Sequence, residues 1–81
     1  MQLSTDQIKA VIETQIENYR KRIARLSSEL APLRNQPISG SRELRHRLQY
    51  LERELADQQA RLASLKDLQQ IIRTLEGLSH D

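Results

Sequence analysis

Two long amphipathic stretches share one heptad pattern, which favours an antiparallel pair of helices. In the first stretch, position a holds Ile16, Ile23 and Leu30, and position d holds Ile12, Tyr19, Leu26 and Leu33. In the second, position a holds Leu48, Leu55 and Leu62, and position d holds Leu44, Leu51, Gln58, Leu65 and Ile72. Antiparallel helices pair a with d, so one register gives six layers, from Leu30 opposite Leu44 to Ile12 opposite Leu62. The sequence therefore predicts an all-α fold, an antiparallel two-helix hairpin of the coiled-coil type.

Capping residues predict where the two helices begin and end. Ser4 and Gln7 have the spacing of a capping box, and Pro32 is expected to end or bend the first helix. Ser41 is expected to cap the second helix, and Gly77 to end it in a left-handed conformation. The predicted domain is a single hairpin over 1–81, with helices at about 5–31 and 42–76 and a turn at about 32–41.

Length and composition limit what such a hairpin can do alone. A chain of 81 residues with two Tyr and no Phe or Trp buries little apolar surface. We therefore expect a homodimer that forms a four-helix bundle, a protein partner, or both. The chain has no Cys, which suits a cytoplasmic location, and no stretch typical of a signal peptide or membrane span. No membrane partner is expected.

The apolar stripe widens at the end of the hairpin away from the turn. The predicted partner or dimer interface there consists of Ile8, Val11, Leu68, Ile71, Ile72, Leu75 and Leu78. A stripe wider than one helix can cover indicates a second layer, which is either a dimer core or a docking site for another protein. The second helix is longer by roughly eight residues, about 12 Å, so its last apolar residues are expected to project beyond the first helix.

Charge is segregated along the predicted hairpin. Residues 20–53 carry nine bases and three acids, a net +6, whereas the remainder carries four bases and eight acids, a net −4. Beyond a simple solvated surface, this pattern suggests tip-to-tail assembly or nucleic-acid and other polyanion binding by the turn half. The candidate polyanion-binding residues are Arg22, Arg25, Arg45 and Arg47.

Residues with catalytic or metal-binding chemistry form no convincing group. Glu43 and His46 have the E-x-x-H spacing of di-iron bundles, but the heptad turns both toward water. We therefore expect no enzyme, no cofactor and no metal site. Gln58, the one polar side chain in the predicted seam, either tilts toward solvent or meets its symmetry mate in a bundle and selects the register.

In size and layout the chain resembles the small helical-hairpin co-chaperones of type III secretion, which implies a binding role without catalysis. The string from Ser41 to Arg45 also resembles the S-Q-E-L-D signature of hairpin phosphatases that act on sporulation response regulators. Arg45 replaces the terminal acid of that signature, so no phosphatase residues are assigned. The function expected from the sequence is that of a small, non-catalytic adaptor or chaperone-like protein.

Overall fold

The protein is an all-α antiparallel hairpin of two helices, as the heptad pattern predicts. The structure, a computed structural model, describes residues 4–35 and 41–78. Helix α1 spans Thr5–Arg34 and helix α2 spans Arg42–Leu78. The two helices pack side by side along an elongated body of 63 × 24 × 16 Å.

Both helices begin at the caps that the sequence predicts. The Ser4 hydroxyl accepts a hydrogen bond from the Gln7 backbone N–H at 3.2 Å, and the Gln7 side chain accepts one from the Ser4 N–H at 2.9 Å. At the start of α2, the Ser41 hydroxyl accepts from the Leu44 backbone N–H at 3.3 Å. These bonds satisfy donors that the first turn of a helix leaves without partners.

The helix ends differ from the prediction. Pro32 lies inside α1, which continues to Arg34, and the Asn35 backbone N–H donates to the Ala31 carbonyl at 3.2 Å. The fixed φ of proline is compatible with a helix, and Leu33 beyond it packs on the hairpin core, which favours one further turn. Gly77 likewise stays within α2, and its backbone is not left-handed. The predicted turn residues 36–40 lie outside the described part of the chain.

The register of the helices is shifted by one heptad from the predicted one. Leu30 belongs to a buried cluster with Leu51 and Leu55, whereas the prediction placed it opposite Leu44. Two ion pairs between the helices, Lys9 with Glu76 and Arg34 with Glu52, indicate the same register as the cluster. In the predicted register each of these pairs would be separated by about 16 Å or more along the axis, which exceeds the reach of the side chains.

The shift has a physical reason in the overlap of the helices. A displacement of seven residues keeps every a position opposite a d position, so the heptad pattern itself is equally satisfied. In the observed register all of α1 faces α2, and Leu33 and Leu65 join the paired layers. The extra length of α2 therefore extends past α1 at the turn, and the open ends of the helices lie nearly flush.

The core is thin. The buried apolar residues of the described helices are Ile12, Ile16, Leu30, Leu51 and Leu55. Each helix covers only one side of the other, so the outer flanks of the seam remain in contact with solvent. A hairpin of this kind gains stability when a further layer covers one of its flanks.

Candidate protein-interaction surface

Large aliphatic side chains are exposed at the open end of the hairpin. Their exposed fractions are 39% for Ile8, 56% for Val11, 43% for Leu68, 54% for Ile71, 59% for Leu75 and 69% for Leu78. The remaining large exposed apolar side chain among the described residues is Tyr50, which lies in the turn half. These six aliphatic residues are named here the open-end face.

The six side chains lie on a single side of the hairpin. Continuing the heptads places Ile8, Leu68 and Leu75 at position g, and Val11, Ile71 and Leu78 at position c, next to g. In an antiparallel pair the g positions of both helices border the same side of the seam. The structure agrees for one residue of each helix, because Ile8 and Leu75 line one open groove between the helices, together with Thr5, Ile72 and Glu76.

The opposite side of the seam is polar at the same level. The groove there is lined by Glu13 and Arg73, both at position e, together with Lys9 and Gln69. The Arg34–Glu52 ion pair, with an Nε to Oε1 distance of 3.5 Å, also joins two e positions. The hairpin is therefore apolar on one side of its open end and charged on the other.

The open-end face contains no charged residue, although the half of the hairpin around it is acidic. Between residues 4 and 19 and between 62 and 78, the other g and c positions hold Ser4, Gln15, Asn18 and Ser64. The charged side chains of the same segments occupy positions a, b, e and f, and one of them, Glu76, lines the groove beside Ile8 and Leu75, where it is bonded to Lys9. The face itself is therefore neutral and apolar, with a rim of uncharged polar residues and the Lys9–Glu76 ion pair.

One expectation about the open end needs correction, and another stays a prediction. Ile72, predicted as an interface residue, is half-buried at a d position and lines the grooves on both sides of the seam, and its part in an interface stays a prediction. The predicted projection of Ile72, Leu75 and Leu78 past α1 is wrong. Glu76 is bonded to Lys9, one turn into α1, because the register shift carries the end of α2 alongside the start of α1.

The register also separates the four candidate polyanion-binding arginines. Arg22 and Arg25 lie across from the middle of α2, whereas Arg45 and Arg47 lie at its start. At the standard helical rise the two pairs are about 17 Å apart along the hairpin. In the predicted register the two pairs would lie closer together, and their role in polyanion binding stays a prediction.

A group of polar side chains interrupts the seam at mid-length. Tyr19 is half-buried, the guanidinium carbon of Arg22 lies 5.2 Å from its ring centroid, and its hydroxyl interacts with the exposed guanidinium of Arg61. The Tyr19 hydroxyl and then the Asp57 carboxylate raise the pKa of Arg61 above its ordinary value. Arg61 also forms an ion pair with Asp57 at 3.1 Å. Tyr19, Arg22, Asp57 and Arg61 therefore form a polar group beside the seam.

Gln58 is buried in the same region, with 7% of its surface exposed, so the expected tilt toward solvent is wrong. Its amide nitrogen donates to the Glu54 carboxylate at 3.1 Å, and its carbonyl oxygen has no hydrogen-bond partner among the described residues. The second expectation for Gln58, contact with a symmetry mate, stays a prediction.

The described residues contain no group of three His, Cys, Asp or Glu side chains that could hold a metal ion. Neither described helix is long and apolar enough to cross a membrane.

Comparisons with protein-family models, curated proteins and solved structures found no match to this chain.

Proposed function

We propose that this protein is a small, non-catalytic interaction protein, adaptor-like or chaperone-like, that docks through the open-end face. The observation that carries the proposal is the collection of six exposed aliphatic side chains on one uncharged side of the hairpin. Exposed aliphatic residues scattered over a surface need no explanation, whereas a contiguous apolar patch with a polar rim is typical of a binding surface.

The size of the patch supports the same proposal. From their exposed fractions, the six side chains present on the order of 600 Å² of apolar surface, which is at the upper end for the largest patch of a monomeric protein. The energetic gain from covering it comes mainly from removing aliphatic groups from water. The six side chains carry no charge, and the one carboxylate that lines the groove beside them, Glu76, is already paired with Lys9.

Two features of the structure favour a binding role over catalysis. The candidate chemistry at Glu43 and His46 lies on the exposed outer surface of α2, away from the seam. The depressions at the open end are grooves between two helices and offer a partner an apolar strip. We propose a cytoplasmic site of action, on the ground that the chain contains no Cys.

Site-specific photo-crosslinking in cells that express the full chain tests this proposal. A photoreactive residue in place of Ile71 reports on the open-end face, and one in place of Thr74 is the matched control, exposed at position f of the same turn. We expect discrete protein adducts from position 71 and few or none from position 74. Equal adduct patterns from both positions, or none from either, would contradict docking through this face.

A further inference from the structure

The identity of the molecule that covers the open-end face can be inferred from area. Specific protein interfaces bury at least about 1,200 Å² in total. One open-end face supplies on the order of 600 Å², so two copies of it together reach roughly that lower limit. Self-association through this face therefore approaches the area of the smallest specific dimer interfaces.

Charge decides whether two copies can bring these faces together. The open half has a net charge of −4, which on its own would oppose the approach of a second open half. Of the acids of that half, Glu54 and Asp57 lie on the same side of the hairpin but nearer the turn, and Glu76 is paired with Lys9. The six residues of the open-end face are themselves neutral. Two open-end faces can therefore meet without placing like charges in contact.

Two symmetric arrangements bring the face of one copy onto the face of another. In a parallel arrangement the two-fold axis runs along the hairpin, so that α1 of one copy lies over α2 of the other along the full length. The charged g and c residues nearer the turn then enter the contact as well, namely Arg22, Arg25, Glu29, Glu43, Arg47, Glu54, Asp57 and Arg61. Charged groups taken into an interface lose hydration, and this cost can exceed the attraction gained by pairing.

In an antiparallel arrangement only the open ends overlap. The two-fold axis then passes near residue 73, so that Leu78 of one copy lies over Leu68 of the other. The charged turn halves extend away in opposite directions and stay in water. This arrangement covers the apolar residues and leaves the charges of both turn halves solvated.

We infer that the open-end face binds the same face of a second copy of this chain, in an antiparallel two-fold dimer overlapped only at the open ends. The inference rests on the proposed function, because it names the partner that docks at the open-end face. The short four-helix layer at the centre has a basic turn half at each distal end. From the 63 Å length of one hairpin and an overlap of roughly 15 Å, the dimer is about 110 Å long.

Light scattering and small-angle X-ray scattering of the full chain over a concentration series test this inference. We expect a dimer with a maximum dimension of about 110 Å, both at about 0.1 M and at about 1 M salt, because the contact is apolar. Ile71→Glu places a charge in the contact and is expected to raise the dimer dissociation constant roughly tenfold or more. The control Thr74→Glu, on the same turn but outside the face, should leave the constant within about twofold.

Three results would overturn the inference. They are a monomer at every concentration, a dimer that Ile71→Glu and Thr74→Glu affect equally, and a dimer about as long as one hairpin, which indicates side-by-side packing. Circular dichroism of both variants shows whether the helices remain formed. The photo-crosslinks separate the two proposals. A monomer that gives adducts to a different protein at position 71 refutes only the dimer. The absence of adducts refutes docking through the open-end face itself.

Discussion

The ammonium of Lys9 lies 3.3 Å from both carboxylate oxygens of Glu76, so that the start of α1 is joined to the end of α2. The two side chains are separated by 67 positions in the sequence, and they meet only in the observed register. This contact closes the open end and brings Ile8 beside Leu75 in one groove. The composition of the open-end face therefore depends on the register that this ion pair reports.

A double-mutant cycle with Lys9→Met and Glu76→Gln measures this contact. The side chains are 37% and 34% exposed, so solvent weakens the attraction, and we expect a coupling free energy of about 0.5 kcal/mol. The coupling should shrink at about 1 M salt. Urea denaturation of the four chains provides the values, and a coupling of zero at low salt would argue against this approach of the helices.

Leu30 is predicted to be the most sensitive position of the hairpin. Its side chain is fully buried against Leu51 and Leu55, so Leu30→Ala removes apolar contacts and leaves a cavity. We expect a loss of about 2–4 kcal/mol in the free energy of unfolding, which for so thin a core approaches complete unfolding. Tyr50→Ala, at a side chain that is 65% exposed, is the control and should change stability by less than about 0.5 kcal/mol.

Gln58 is predicted to lower the stability of the hairpin. Its carbonyl oxygen is buried without a hydrogen-bond partner among the described residues. Gln58→Leu should therefore raise the free energy of unfolding by about 1–2 kcal/mol. Gln58→Glu should lower it, because a carboxylate would then be buried beside Glu54. Thermal denaturation compares the three chains, and a destabilised Gln58→Leu variant would show that the amide contributes favourable contacts.

Much of the fold could be predicted because heptad positions and caps act locally. The a and d assignments identify which side of each helix faces the seam, and Ser4 and Ser41 begin the helices as expected. The register could not be predicted in the same way, since a slip of one heptad pairs the same types of position. The predicted register assumed that the turn lies symmetrically between the two helices. In the structure α2 extends beyond α1 at the turn.

The open-end face was also predicted in part, because heptad positions act locally. Six of its proposed members are exposed, but Ile72 was assigned by its apolar character although its d position places it in the seam. The absence of charge from positions g and c of residues 4–19 and 62–78 was available in the sequence and would have separated this side of the open end from its acidic surroundings. The spacing of the arginine pairs depends on the register, so the sequence placed them too close together.

The register is tested most directly by disulfide formation, since the chain contains no Cys of its own. Lys9→Cys combined with Ile72→Cys, at two half-buried positions that line one groove, should form an intramolecular disulfide readily under mild oxidation. Lys9→Cys combined with Leu65→Cys, the pair that the predicted register places opposite each other, should not, because residue 65 lies about 10 Å along the helix from residue 72. Preferential crosslinking of positions 9 and 65 would contradict the observed register, because Ile8 would then lie a heptad away from Leu75 and the open-end face would be divided.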